Sequence, residues 1–368
     1  SLIFAMHVML ASRDTQGGDL WTFGYRGNGR LGHVGTDDSD DIERVPRRVE
    51  ALVGKRVMQV SCGDHHTAVL TSEGWLFTFG GGDKGKLGHG SENDEWVPRR
   101  VEALVGVKMT RLSCGSNHSA VVTSTGELLT FGEGCDEQLG YDKGVTNQLV
   151  PRRVKGALVG KRVVEVCCGE KQTTVLTSEG ELYVTGTDSS VRRIEEDLTG
   201  KRVVHMSKCN WLMAAITLDG ELYIVDFLQL ENEQVSKRVE GELLGKCIVQ
   251  VACGYNHVAA ITSTGELFTF GIGPSGQLGH GGTDPEYVPR RVEGALVGKR
   301  VVQVSCGWDH TAVITSDGEL FTFGSSGQLG HGGTDDELVP RRVEALAGKR
   351  VVEVSCGREH TAVITLLR

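Results

Sequence analysis

Cys306 and His310 stand four residues apart in "CGWDHTAVIT", and the same spacing recurs at Cys62/His66, Cys114/His118, Cys253/His257 and Cys356/His360. A cysteine and a histidine this close could bind a metal or act as nucleophile and base. A second frame, Leu-Gly-His, carries His33, His89, His280 and His331. Metal ligands must converge on one ion, whereas equivalent positions of a closed repeat diverge around a ring. Gln172 and Tyr141 replace histidine in otherwise regular copies, and neither is a usual zinc ligand. The histidines are therefore expected to staple loops to strands, and the cysteines to be small buried thiols. No metal and no cofactor are expected. Two G-x-G-x-x-G matches, Gly80–Gly85 and Gly271–Gly276, follow strand-like segments. No helix pattern follows either, so neither can offer a pyrophosphate a helix N-terminus. No nucleophile motif, paired carboxylates or P-loop appears, and covalent catalysis is not expected.

The elements that hold these residues repeat. The small-residue motif recurs at Ser61-Cys62-Gly63, Ser113-Cys114-Gly115, Cys167-Cys168-Gly169, Ala252-Cys253-Gly254, Ser305-Cys306-Gly307 and Ser355-Cys356-Gly357, with a degenerate copy at Lys208-Cys209-Asn210. A period near 50 residues belongs to propeller blades. Each period holds four strand-like runs, typified by "RVVQVSC", "TAVIT", "ELFTFG" and "VPRRVE". Small residues at the end of the first run suit the crowded axis. Proline and paired arginines suit an outer edge that must not pair with other chains.

First strands are expected near Val57, Met109, Val163, Val203, Ile248, Val301 and Val351, and third strands near Leu20, Leu76, Leu128, Leu182, Leu222, Leu267 and Leu320. Outer strands are expected at Val45–Val49, Val97–Val101, Val150–Val154, Val191–Ile194, Val235–Val239, Val288–Val292 and Val339–Val343. The chain begins before a third strand and ends after a second one. The fold class is thus all-β: a single seven-bladed propeller over residues 1–368, one blade shared by the two termini. Ala5–Ala11 resembles a surplus second strand, leaving 1–18 as an extra strand or tail.

Composition agrees. The chain has 51 glycines for turns, only 7 prolines, 10 cysteines and a net charge of −9. It lacks an apolar membrane-spanning run and a basic stripe, so neither membrane insertion nor direct nucleic-acid binding is expected. Free thiols suit a cytoplasmic or nuclear setting.

The repeat resembles the regulator of chromosome condensation family. The signature here reads Cys306-Gly307-Trp308-Asp309-His310-Thr311, then Asp317-Gly318, Phe323-Gly324 and Gly327-Gln328-Leu329-Gly330-His331. The resemblance implies a seven-bladed propeller. The founding member exchanges nucleotide on a Ran-type GTPase, using a wedge-like insertion, and carries a basic tail. This chain shows neither, and residues 184–245 lack the Leu-Gly-His loop and Val-Pro-Arg-Arg.

Within the fixed frame, two residues vary between the glycine and the histidine. They are Asp64-His65, Ser116-Asn117, Glu170-Lys171, Asn210-Trp211, Tyr255-Asn256, Trp308-Asp309 and Arg358-Glu359. They share one end of the propeller with acidic loops holding Asp37, Asp38, Asp40, Asp41, Glu43, Glu92, Asp94, Glu95, Asp284, Glu286, Asp335, Asp336 and Glu337. Tyrosine, tryptophan and arginine are enriched at interface hot spots. The leading reading is a noncatalytic protein-interaction propeller, monomeric, whose acidic face binds a basic partner. It would serve as a domain of a larger signalling or ubiquitin-ligase protein. The second reading is a nucleotide exchange factor for a small GTPase. A third, a light sensor like the plant UV-B photoreceptor, has only Trp308 in the required slot.

Overall fold

Val301–Cys306, His310–Thr315, Leu320–Gly324 and Glu337–Arg342 run antiparallel as one blade, each paired to the next. β-branched alternation makes the first three strands, and their inward side chains are buried. The fourth starts at Glu337 rather than Val339, because Glu337 pairs with Gly324 across a shift in register. The same early start recurs at Glu95–Arg100 and Glu286–Arg291.

The computed structural model describes residues 17–34, 41–141, 144–186, 191–194, 198–210, 212–226 and 235–367. Seven such blades form the ring. Their innermost strands begin at Val57, Met109, Val163, Val203, Ile248, Val301 and Val351, which number blades 1 to 7. Blade 7 joins Val351–Cys356 and His360–Leu366 to Gly18–Tyr25 and Ile42–Arg48, with Gly18 opposite Leu366 and Gly24 opposite His360. The C-terminal copy therefore fills the contested second-strand slot, and Ala5–Ala11 lies outside the described residues. Blades 3 and 4 keep short outer strands, Arg192–Ile194 and Val235–Arg238. Among the described residues helical structure is limited to single 3-10 turns, and no helix is long and apolar enough to cross a membrane. Asp83–Gly85, inside the first G-x-G-x-x-G match, is one of those turns.

The core lies between blades. Ala259, Ile261 and Leu267 of blade 5 pack against Val304, Val313, Phe321 and Phe323 of blade 6. Burying each large side chain stabilises by roughly 1.5–3 kcal/mol, so the blades cohere mainly through their faces. Near the axis the contact becomes polar. The amide N–H of Cys114 donates to Ser61 Oγ, Cys168 to Ser113, Cys253 to Ser207, Cys356 to Ser305 and Cys62 to Ser355, all at 2.9–3.0 Å. Gly307 is required there: a Cβ would come within 2.4 Å of the Gly357 carbonyl oxygen.

This serine ladder corrects the reading of blade 4. Ser207 occupies the serine position, so Lys208 takes the cysteine position and Cys209 the glycine position. The degenerate copy is Ser207-Lys208-Cys209, one residue earlier than the cysteine alignment places it. The variable pair Asn210-Trp211 keeps its place.

Candidate functional site

The first histidine frame clamps blade to blade. His66 Nε2 lies 2.8 Å from Ser119 Oγ, and His118 Nε2 2.8 Å from Thr173 Oγ1. His257 meets Thr311 and His310 meets Thr361, both at 2.9 Å. Each hydroxyl already donates its proton to a carbonyl oxygen, as Ser119 does to Lys86 and Thr311 to Gln277. The hydroxyl must therefore accept from the histidine, which fixes the neutral Nε2–H form. Burial pulls His118 and His310 down to about 3 and His257 to about 4. In the second frame His33, His89, His280 and His331 each meet a threonine of their own blade at 2.9 Å. Tyr141 replaces them in blade 2 by bonding Thr130 and the Arg152 carbonyl. Both frames are structural. Among the described residues no group of three or more metal-ligating side chains converges.

Blade 4 lacks the clamp on both sides. Gln172 faces a blade whose acceptor position is Met213. Leu212 stands in blade 4's histidine position, and Val258 stands in the acceptor position of blade 5. All of these except the half-buried Leu212 are buried. Between blades 4 and 5 donor and acceptor are lost together, whereas Gln172 keeps a buried amide whose Oε1 has no partner.

The two residues of each variable pair differ in role. In three pairs the second residue is tied to a long polar side chain that precedes Leu-Gly in the loop of the previous blade. Arg30 donates to the Asp64 carbonyl oxygen and to His65 Nδ1, both at 2.8 Å, and lies 3.6 Å from Glu359 Oε2. Lys86 reaches Asn117 Oδ1 at 3.4 Å, and Gln277 Nε2 donates to Asp309 Oδ1 at 3.2 Å. Asn256 gives its carbonyl oxygen to the Ile272 N–H. Lys171 lies 3.7 Å from Asp136. Arg30, Lys86, Gln138, Gln277 and Gln328 are all buried. Sequence reasoning missed them, although a long polar residue before the Leu-Gly of all five regular loops was the available signal.

The first residue of the pair faces the channel. Asp64, Ser116, Glu170, Asn210, Trp308 and Arg358 border its mouth. Tyr255 joins them by stacking on Trp308, ring centroids 4.4 Å apart and planes at 29°. The Arg358 guanidinium covers the Trp308 ring, 3.7 Å from its centroid. Blades 5, 6 and 7 thus contribute one rung each to a tyrosine–tryptophan–arginine ladder. Asp64 of blade 1 and Glu170 of blade 3 border the same mouth. Trp211 lies outside the described residues. Trp21 and Trp75 belong to the far end, where Trp21 donates to Thr365 Oγ1 and Arg100 covers Trp75. Trp96 sits on an outer strand.

Much of the acidic charge is spent locally. Glu43 pairs with Arg47, Glu95 with Arg99, Glu286 with Arg290 and Glu337 with Arg341. Asp94 and Asp336 accept backbone N–H groups of their own loops. Asp37, Asp38 and Asp40 lie outside the described residues. Asp309 remains half-buried, and burial followed by the nearby Asp336 and Glu359 charges pushes its carboxyl up.

A ring of clamped blades with a variable mouth defines a repeat propeller that presents loops. The chain matches the regulator of chromosome condensation (RCC1) repeat over residues 17–70, 73–122, 125–176, 264–314 and 317–364. It belongs to that family. It is 31% identical over 320 residues to the ultraviolet-B receptor UVR8 of Arabidopsis thaliana, covering 86% of this chain and 64% of the receptor. It is 33% identical over 336 residues to the human E3 ubiquitin-protein ligase HERC2, covering 90% of this chain but 6% of the ligase. The solved structure of human WBSCR16 superposes with a TM-score of 0.83 at 22% identity, over 95% of this chain and 99% of that one. Prp20p of Saccharomyces cerevisiae gives 0.83 at 20% identity, over 96% and 93%.

Proposed function

We propose that this propeller is a noncatalytic interaction module that binds a basic protein surface at the channel mouth. The observation that carries the reading is the Tyr255–Trp308–Arg358 ladder. Stacked aromatic and guanidinium groups offer large, rigid contact area at low entropic cost. They stand on a frame whose own hydrogen bonds do not need them. Asp64, Glu170 and Glu359 around the mouth supply negative charge that steers and orients a cationic partner. The thiol-rich interior fits a reducing cytoplasmic or nuclear compartment. Affinity capture with the wild type beside a Tyr255/Trp308/Arg358 triple alanine variant tests the site. Partners captured by the wild type should be lost from the variant. Retention of all of them overturns the mouth as the binding site.

Exchange of nucleotide on a small GTPase is the second reading. It is favoured by the fold match to Prp20p, whose structure was reported with its binding properties to Gsp1p and histones. Such an exchange factor works by holding the empty GTPase better than the loaded one. A nucleotide-release assay against a panel of small GTPases decides it, and no acceleration with any of them ends it.

A further inference from the structure

Lys208 breaks the ring of thiols around the axis. The other six inner strands place a cysteine in its position, and all seven residues border one cavity of about 80 Å³ that opens between the mouth residues. A cavity of this size has room for several water-sized atoms. An ammonium in this slot costs desolvation that a thiol or a methionine would not. The lysine stem crosses Gly169, whose Cβ would lie 3.0 Å from Lys208 Cε. Glycine at that position makes the crossing possible. The amine then turns toward the mouth loop, donating to the Asn210 carbonyl oxygen at 3.0 Å.

We propose that Lys208 is a covalent capture site for small neutral aldehydes that enter through the channel mouth. The neutral amine forms an N–C bond to the carbonyl carbon as the C=O π pair moves onto oxygen. A proton passes from nitrogen to that oxygen through solvent. Water then leaves as the C=N bond forms, so amine plus aldehyde gives imine plus water. No oxidant or reductant is needed.

Two further observations support the site. Burial pulls the Lys208 ammonium down from 10.5 to about 7, so a large share of the amine is unprotonated at neutral pH. Burial also pushes the thiols of Cys114, Cys168, Cys253 and Cys356 up to about 12. They stay protonated, and the amine is the stronger nucleophile of the ring. A cavity of about 80 Å³ sets the expected preference for aldehydes of a few heavy atoms over aromatic ones.

The test uses the intact protein at pH 7 with acetaldehyde and sodium cyanoborohydride, which converts each imine to a stable N-ethyl group. Peptide mass spectrometry reads every lysine. Lys208 should be labelled roughly 10- to 100-fold faster than the exposed Lys155 and Lys237, because only the unprotonated amine attacks and burial favours that form at Lys208. Benzaldehyde should reverse the order, labelling the exposed lysines and sparing Lys208. A Lys208→Met variant should lose the fast phase. Labelling of Lys208 no faster than Lys155 and Lys237, or only after unfolding in urea, overturns the proposal.

Discussion

His360 Nε2 lies 2.9 Å from Thr67 Oγ1, although 293 residues separate them in the chain. Thr67 gives its own proton to the Arg30 carbonyl oxygen at 2.7 Å, so His360 must be the donor. This one bond ties the last strand of the chain to the first blade. His360→Ala removes the donor and leaves a cavity beside it. It should destabilise by about 2–4 kcal/mol in urea or thermal denaturation. Gln172→Ala, where the neighbouring blade offers Met213 instead of an acceptor, should cost about 1 kcal/mol. A larger loss at Gln172 than at His360 would contradict the clamp.

Acid should open the ring through these histidines. Their folded pKa values are depressed, His118 and His310 to about 3 and His257 to about 4. Below about pH 6.5 the unfolded chain takes up protons that the folded one refuses. Their stabilising contribution is therefore complete above that pH and is lost as pH falls toward 3. Each clamp histidine should forfeit roughly 2 kcal/mol between pH 6.5 and 5. Melting curves from pH 7.5 to 5 should show a steep drop in Tm, and a flat profile would exclude buried neutral histidines.

Lys208 follows the same sign in a higher pH window. Its pKa falls from 10.5 to about 7 on folding, so the unfolded state binds the extra proton between those values. The burden is greatest at pH 7 and below and fades as pH rises toward 10.5. Lys208→Met should stabilise the protein by about 2–5 kcal/mol at pH 7. Chemical denaturation of the two proteins at pH 7 and pH 9 checks both sign and trend: the gap should narrow at pH 9.

The ring thiols should resist alkylation. Cys135 is exposed, whereas the six ring cysteines are buried. Iodoacetamide needs thiolate. At pH 8 the folded protein should be labelled first at Cys135, with Cys62, Cys114, Cys168, Cys253, Cys306 and Cys356 reacting only as it unfolds. Mass spectrometry of partially labelled protein reads the order, and rapid native labelling of the ring would show that the channel thiols are ionised.

The mouth ladder should be dispensable for folding. Tyr255 and Trp308 stack at a half-exposed surface, and Arg358 lies over them. Aromatic and cation–π contacts of this kind contribute about 0.5–1.5 kcal/mol each. The triple alanine variant should lose roughly 1–3 kcal/mol of stability and keep the β-sheet circular dichroism spectrum. Unfolding of the variant would make the ladder framework instead of contact surface.

The sequence by itself determined the blade count, the place of every inner strand and the joint blade of the two termini. Those follow from periodic local signals: alternation in "RVVQVSC", glycine at the turns, and Val-Pro-Arg-Arg at five of the seven edges. It also separated framework from variable residues, because the repeat supplies its own comparison. Three things belonged to the tertiary structure alone. The partners of Arg30, Lys86 and Gln277 sit in the next blade, at a distance that no local pattern encodes. The stacking of Tyr255, Trp308 and Arg358 depends on how the loops of three blades converge at the axis. The slot of Lys208 was hidden because Cys209 beside it imitated the missing thiol. The hydrogen bond from the Cys253 N–H to Ser207 Oγ and the pairing of Lys208 with Met213 show that the lysine, and not the cysteine after it, stands in the cysteine position. Periodic backbone preferences are written along the chain, whereas contacts between blades are made in space.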